Sequence, residues 1–105
     1  MKKGDIVLTP FPFTDLAGNK TRPALILIES ESLVTICYIS TQILFRNSND
    51  FLLQPNETNR LKKESIVKIN KIATIDKDLI IGKIGTLNYT EAHTLNQALR
   101  KILKL

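Results

Sequence analysis

Apolar positions along the chain fall into short runs that favour strands, and polar breaks separate them. Asp5 opens the first, where Ile6, Val7 and Leu8 form a run that Pro10 and Pro12 stop. Thr14, Asp15, Gly18 and Asn19 then read as a loop. Regular structure resumes at Arg22, just before Pro23 and the run Ala24 to Ile28. A proline biases the residue before it toward extended backbone angles, so Arg22 is predicted to sit restrained on the rim of that loop. The break Glu29 to Ser32 followed by Leu33 to Ile39 predicts a hairpin. If the hairpin is centred on Glu31, Arg22 and Ser40 lie nine positions to either side and face one another, with Cβ atoms ~5 Å apart.

Ile43 to Phe45, a turn-rich Arg46 to Asn49 and a short run from Asp50 to Gln54 predict a second hairpin. Pro55 to Lys63 is polar and reads as an exposed, mobile loop. From Ser65 to Ile72 the alternation through Val67 and Ile69 predicts a long strand with one wet face. Asp76 to Asp78 form a break, and Gly82 and Gly85 flank a short strand or bulged turn. The chain closes in a helix. Asn88 with Glu91 three residues on has the spacing of a capping box, Ala92, Leu95, Leu99 and Ile102 recur on one face, and Lys101 and Lys104 suit the negative end of the helix dipole. Short strands, tight turns and one final helix point to a mainly β (α+β) fold, a small β-barrel, rather than a βαβ sheet.

Composition narrows the partners. A chain of 105 residues is one domain, 1–105, large enough for a single core. The net charge of +5 and pI near 9.5 are compatible equally with simple solubility and with a polyanionic partner, nucleic acid or an acidic protein. Behind the N-terminal Met-Lys-Lys no apolar leader follows, and no run is long enough to span a bilayer, so a cytoplasmic protein without a membrane partner is expected. A single cysteine, Cys37, lies inside an apolar run and reads as a buried thiol.

One histidine, one cysteine and no cluster of acids leave little for a metal site, and no phosphate-binding or dinucleotide loop is present, so no cofactor is expected. His93, near the start of the helix, reads as a surface or packing residue. RNA cleavage remains open to such a chain, because the substrate carries its own nucleophile in the 2′-hydroxyl. An arginine fork can bind two phosphoryl oxygens and stabilise the charge that gathers there, which makes Arg22 the candidate, with Ser40 or Thr41 as a neighbouring hydroxyl. Arginine stays protonated, so the proton transfers have no obvious base.

Gly4-Asp5-Ile6-Val7, Pro10 to Leu16, Lys20 to Leu25, Ile39 to Gln42, and Ser65 to Lys77 followed by Lys83 to Leu87 resemble, in order and spacing, the PemK/MazF toxins of type II toxin-antitoxin systems. The resemblance covers essentially the whole chain. It implies an SH3-like barrel of the MazF/CcdB type, a homodimer, an acidic and partly disordered antitoxin, and a metal-independent endoribonuclease. Such an enzyme cuts single-stranded RNA at short sequences and leaves a 2′,3′-cyclic phosphate and a 5′-hydroxyl. Residue by residue, the family's arginine before proline falls on Arg22 and its hydroxyl residue on Ser40, where threonine is commoner; Gly18-Asn19-Lys20 stands where many MazF proteins have a glutamate. Phe13, in preference to Phe11, is the expected base-stacking residue, and Lys20, Thr41, Gln42 and Arg46 are the other expected RNA contacts. Two other readings stand beside this one: a non-catalytic toxin of the CcdB type that binds a topoisomerase, and a plain single-stranded nucleic-acid binding barrel.

Overall fold

The hairpin is the frame of the molecule, seen here in a computed structural model that describes residues 1–10 and 21–105. Strands β2 (Thr21–Glu29) and β3 (Leu33–Ser40) form the predicted hairpin, pairing antiparallel through Ala24 with Tyr38, Leu25 with Cys37 and Ile26 with Ile36, a register symmetric about Glu31. Nearer the turn Leu27 is an extra residue, so the pairs become Ile28 with Thr35 and Glu29 with Val34. A bulge of this kind adds twist without disturbing the open end. There, the same register continued two residues beyond the pair of Ala24 with Tyr38 would bring Arg22 opposite Ser40.

β1 (Asp5–Pro10) lies against β2, and β6 (Gly82–Thr86) against β1, with Ile84 bulged between Lys83 and Gly85. On the other side β5 (Ser65–Asp76) pairs with β3, and β4 (Phe51–Leu53) with β5, giving the order β4-β5-β3-β2-β1-β6. The pairing of β5 is broken. Cys37 faces Ile72 but Tyr38 faces Lys68, so Ile69, Asn70 and Lys71 stand opposite no residue of β3, and the strand bends there. The first five residues of β5 are buried on both faces, in place of the single wet face expected, because the curled sheet wraps around them.

One face of the sheet carries Ile6, Leu25, Cys37, Ile39, Leu53, Val67 and Ile69, sealed by helix α1 (Tyr89–Leu103) through Leu95, Leu99 and Ile102. The other encloses Val7, Ala24, Ile26, Ile36 and Tyr38 as the sheet curls into a half-barrel, with Ile80 packed over them. Ile81 N–H donates to the Leu8 carbonyl at 2.8 Å and holds that cover in place. Cys37 is buried, and burial first, then the charge of Asp50, pushes its thiol up to about 12.

Two further expectations change. Ile43–Phe45 is a 3-10 turn and not a strand, closed by the Phe45 N–H donating to the Gln42 carbonyl at 3.1 Å, and β4 pairs with β5 instead of forming a second hairpin. The loop from Pro55 to Lys63 is exposed along most of its length, as expected, but it is tied down and not loose: Asn59 is wholly buried within it. Its side-chain oxygen accepts from the N–H groups of Asn56 (3.1 Å) and Leu61 (3.0 Å), and its amide donates to the Gln54 carbonyl (2.8 Å) and to Glu91 Oε2 (2.9 Å). Glu91 also completes the capping box, accepting from Asn88 N–H at 3.0 Å while its own N–H donates to Asn88 Oδ1 at 2.8 Å. Gly85 lets this loop come close. A Cβ there would lie 2.7 Å from the Thr58 carbonyl oxygen and nearer still to that of Asn59.

Candidate active site

At the open end of the hairpin the strands part around a cleft of about 300 Å³. Arg22 enters it from the first positions of β2, where pairing with Thr9 of β1 fixes its backbone and Pro23 limits its angles. Ser40 comes from the last position of β3, and Thr41 and Gln42 continue the wall. The hydroxyl oxygen of Ser40 accepts the N–H of Gln42 at 3.0 Å, which leaves its own O–H to donate elsewhere. Arg22 and Ser40, predicted from the hairpin, therefore line one cavity.

The far wall comes from β5 and went unpredicted. Lys68 and Lys71 both line the cleft. Residues three apart on a regular strand point to opposite faces, and the bend at Ile69 to Lys71 is what brings these two to one side. Tyr38, Ile39 and Phe45 also line it. Burial pushes the Tyr38 phenol above its ordinary value, so it stays protonated and neutral at pH 7. The signal for Lys68 was a single cation inside the otherwise buried run Ser65 to Ile69, a position that requires a charge partner.

That partner is Asp50, whose side chain is fully buried; its Oδ2 lies 2.9 Å from Lys68 Nζ. Asp50 also accepts the N–H groups of Asn47 (2.9 Å) and Ile69 (3.2 Å), and Lys68 donates to the Phe45 carbonyl at 2.8 Å. A buried ion pair holds its geometry when its remaining sites are bonded in this way. Lys68 thus fastens the 3-10 turn to the sheet. Arg46 lies outside the cleft, exposed, with its Nε donating to the Asp50 carbonyl at 3.3 Å. Phe13 and Lys20 lie outside the described residues. His93 is exposed on α1.

Arg22, Lys68 and Lys71 make the lining cationic, and among the described residues no carboxylate or imidazole lines it. No three of His, Cys, Asp and Glu among the described residues converge where they could hold a metal. Such a cleft suits a phosphodiester.

A profile of the PemK-like, MazF-like toxins of type II toxin-antitoxin systems matches residues 2–103. The chain belongs to this toxin family. Solved structures agree on the fold. A mycobacterial endoribonuclease in complex with its cognate antitoxin superposes with a TM-score of 0.73 at 20% identity, over 98% of this chain and 92% of that one. The Mycobacterium tuberculosis toxin MazF-mt6 gives 0.77 at 22% identity, over 96% and 97%. A third, an Mtb toxin, gives 0.66 at 24%, over 76% and 90%. No curated protein sequence matches. Among the described residues no helix of this toxin is long and apolar enough to cross a membrane.

Proposed function

We propose that this toxin is a metal-independent endoribonuclease that cuts single-stranded RNA in the cleft between Arg22 and β5. The observation that carries the reading is the convergence of Arg22, the Ser40 hydroxyl and two lysines on one cavity. The scissile phosphate sits against the guanidinium, whose fork binds two phosphoryl oxygens, and the Ser40 O–H donates to the same group. The substrate's 2′-oxygen then attacks phosphorus, the bond to the 5′-oxygen breaks, and a 2′,3′-cyclic phosphate and a 5′-hydroxyl result. The 2′-hydroxyl gives up its proton to solvent and the leaving oxygen gains one from solvent. The protein's part is to hold the phosphate and neutralise the charge that gathers on it, with Lys71 adding to the local field.

The reading extends to partners. An antitoxin that is acidic and partly disordered would cover a basic cleft by charge, and the antitoxin-bound mycobacterial relative supports such a partner. The exposed apolar side chains Ile28, Leu79 and Ile81 are surface that a second copy would cover, consistent with a homodimer. Incubation with mixed single-stranded RNA in EDTA, followed by mapping of the ends, tests the function. Discrete cuts with cyclic-phosphate ends that disappear in Arg22→Ala are the expected result; intact RNA with a folded wild-type protein would overturn it.

A further inference from the structure

We propose that Phe45 is the stacking platform for an unpaired base of the substrate, beside the phosphate seat at Arg22. The proposal rests on the RNA reading above and adds to it the residue that grips a base. Phe45 is 71% exposed, yet it lines the cleft together with Arg22 and Lys71. A lone exposed apolar side chain is ordinary on a protein surface. Phe45 differs because its backbone is held at both ends. Its N–H donates to the Gln42 carbonyl at 3.1 Å, and its own carbonyl accepts Lys68 Nζ, itself locked to the buried Asp50 carboxylate. A buried ion pair thus anchors the backbone that carries an exposed aromatic ring at the wall of a cationic cavity. Rings fixed next to positive charge are how single-stranded nucleic acids are gripped without sequence-specific hydrogen bonds, since every base offers a π-face.

Its neighbour Leu44 supplies the control. It is more exposed still, at 92%, and does not line the cleft. An apolar surface for a protein partner would use both side chains; a base platform uses Phe45 alone.

The chain contains no tryptophan, so Phe45→Trp creates a single fluorescent reporter at the proposed contact. The test titrates a short 2′-O-methyl RNA, which binds but cannot be cleaved, and an abasic phosphodiester of the same length. Quenching of the tryptophan by the base-bearing strand and not by the abasic one is expected. Phe45→Ala should weaken binding of the 2′-O-methyl RNA by about tenfold or more, Phe45→Tyr should restore it, and Leu44→Ala should leave it unchanged. Phe45→Ala that binds as tightly as wild type, or a tryptophan blind to an RNA whose binding anisotropy detects, overturns the platform while the RNA reading stands. Equal losses in Leu44→Ala and Phe45→Ala overturn it in favour of a general apolar surface. A folded wild-type protein that binds neither strand overturns the RNA reading itself.

Discussion

Two polar clusters in this toxin are built from similar parts and serve opposite ends. Around Asn59 and Glu91, amide, carboxylate and backbone groups all turn inward and tie the loop after β4 to the start of the helix. Around Asp50 and Lys68 the carboxylate is equally well bonded, but what its partner Lys68 steadies is the backbone of Phe45 at the wall of the cleft. The first cluster makes a fold. The second exports its rigidity to a surface. A buried charge is therefore informative about function according to what its partner holds in place, and not by being buried.

Substitutions should separate the two. Asp50→Ala leaves the Lys68 ammonium without its counter-charge in a site only 11% exposed, and a loss of about 3–5 kcal/mol is expected in a urea melt. If Lys68→Met combined with Asp50→Leu recovers stability but not RNA binding, the pair is there for the cleft. Arg22→Ala should do the reverse, lowering cleavage by about 10²- to 10³-fold with an unchanged melt; a large drop in stability would place Arg22 with the structural groups. Gly85→Ala forces the chain away from Thr58 and Asn59 and should cost about 1–3 kcal/mol in the melt, with the cleavage rate per folded molecule retained.

Asp5 offers a smaller version of the same comparison. Burial raises its pKa, but the Lys2 N–H, the Thr86 hydroxyl and Lys83 together outweigh burial and hold the carboxyl below its ordinary 3.8. Because the folded carboxyl binds its proton more weakly than the unfolded one, its contribution is present above about pH 3.8 and is lost as the pH falls through the lower folded value. Asp5→Asn should flatten that acid limb of the stability curve, whereas Lys83→Ala should barely change it, since Lys83 is 53% exposed at 3.4 Å. The smallest effect is expected at Cys37. With its thiol near 12 and no exposure, it should ignore thiol reagents at pH 8 until the protein unfolds.

The legible parts of this fold were those set by local chemistry. Apolar runs on either side of the polar break at Glu29 to Ser32 marked the hairpin whose open end carries Arg22 and Ser40, and Asn88 with Glu91 marked the helix start. What could not be read depended on residues distant in the chain. Nothing local marks the three unmatched residues of β5, yet their bend turns both Lys68 and Lys71 into the cleft. The loop from Pro55 looked loose because a polar composition does not reveal that one asparagine is buried with its bonds made. Its partner Glu91 is 32 residues away. Phe45 was likewise assigned to a strand, since an apolar triplet in isolation does not announce a turn that a distant lysine holds down.

The carboxylate of Asp50 also does the work of a neighbouring strand. Where the β3 ladder skips part of β5, the N–H of Ile69 is taken by a side-chain oxygen of Asp50 instead of a backbone carbonyl. Slow deuterium uptake at this one amide would then depend on a charge and not on sheet hydrogen bonding. Its exchange rate would serve as a backbone gauge of whether the cleft's anchoring ion pair is intact.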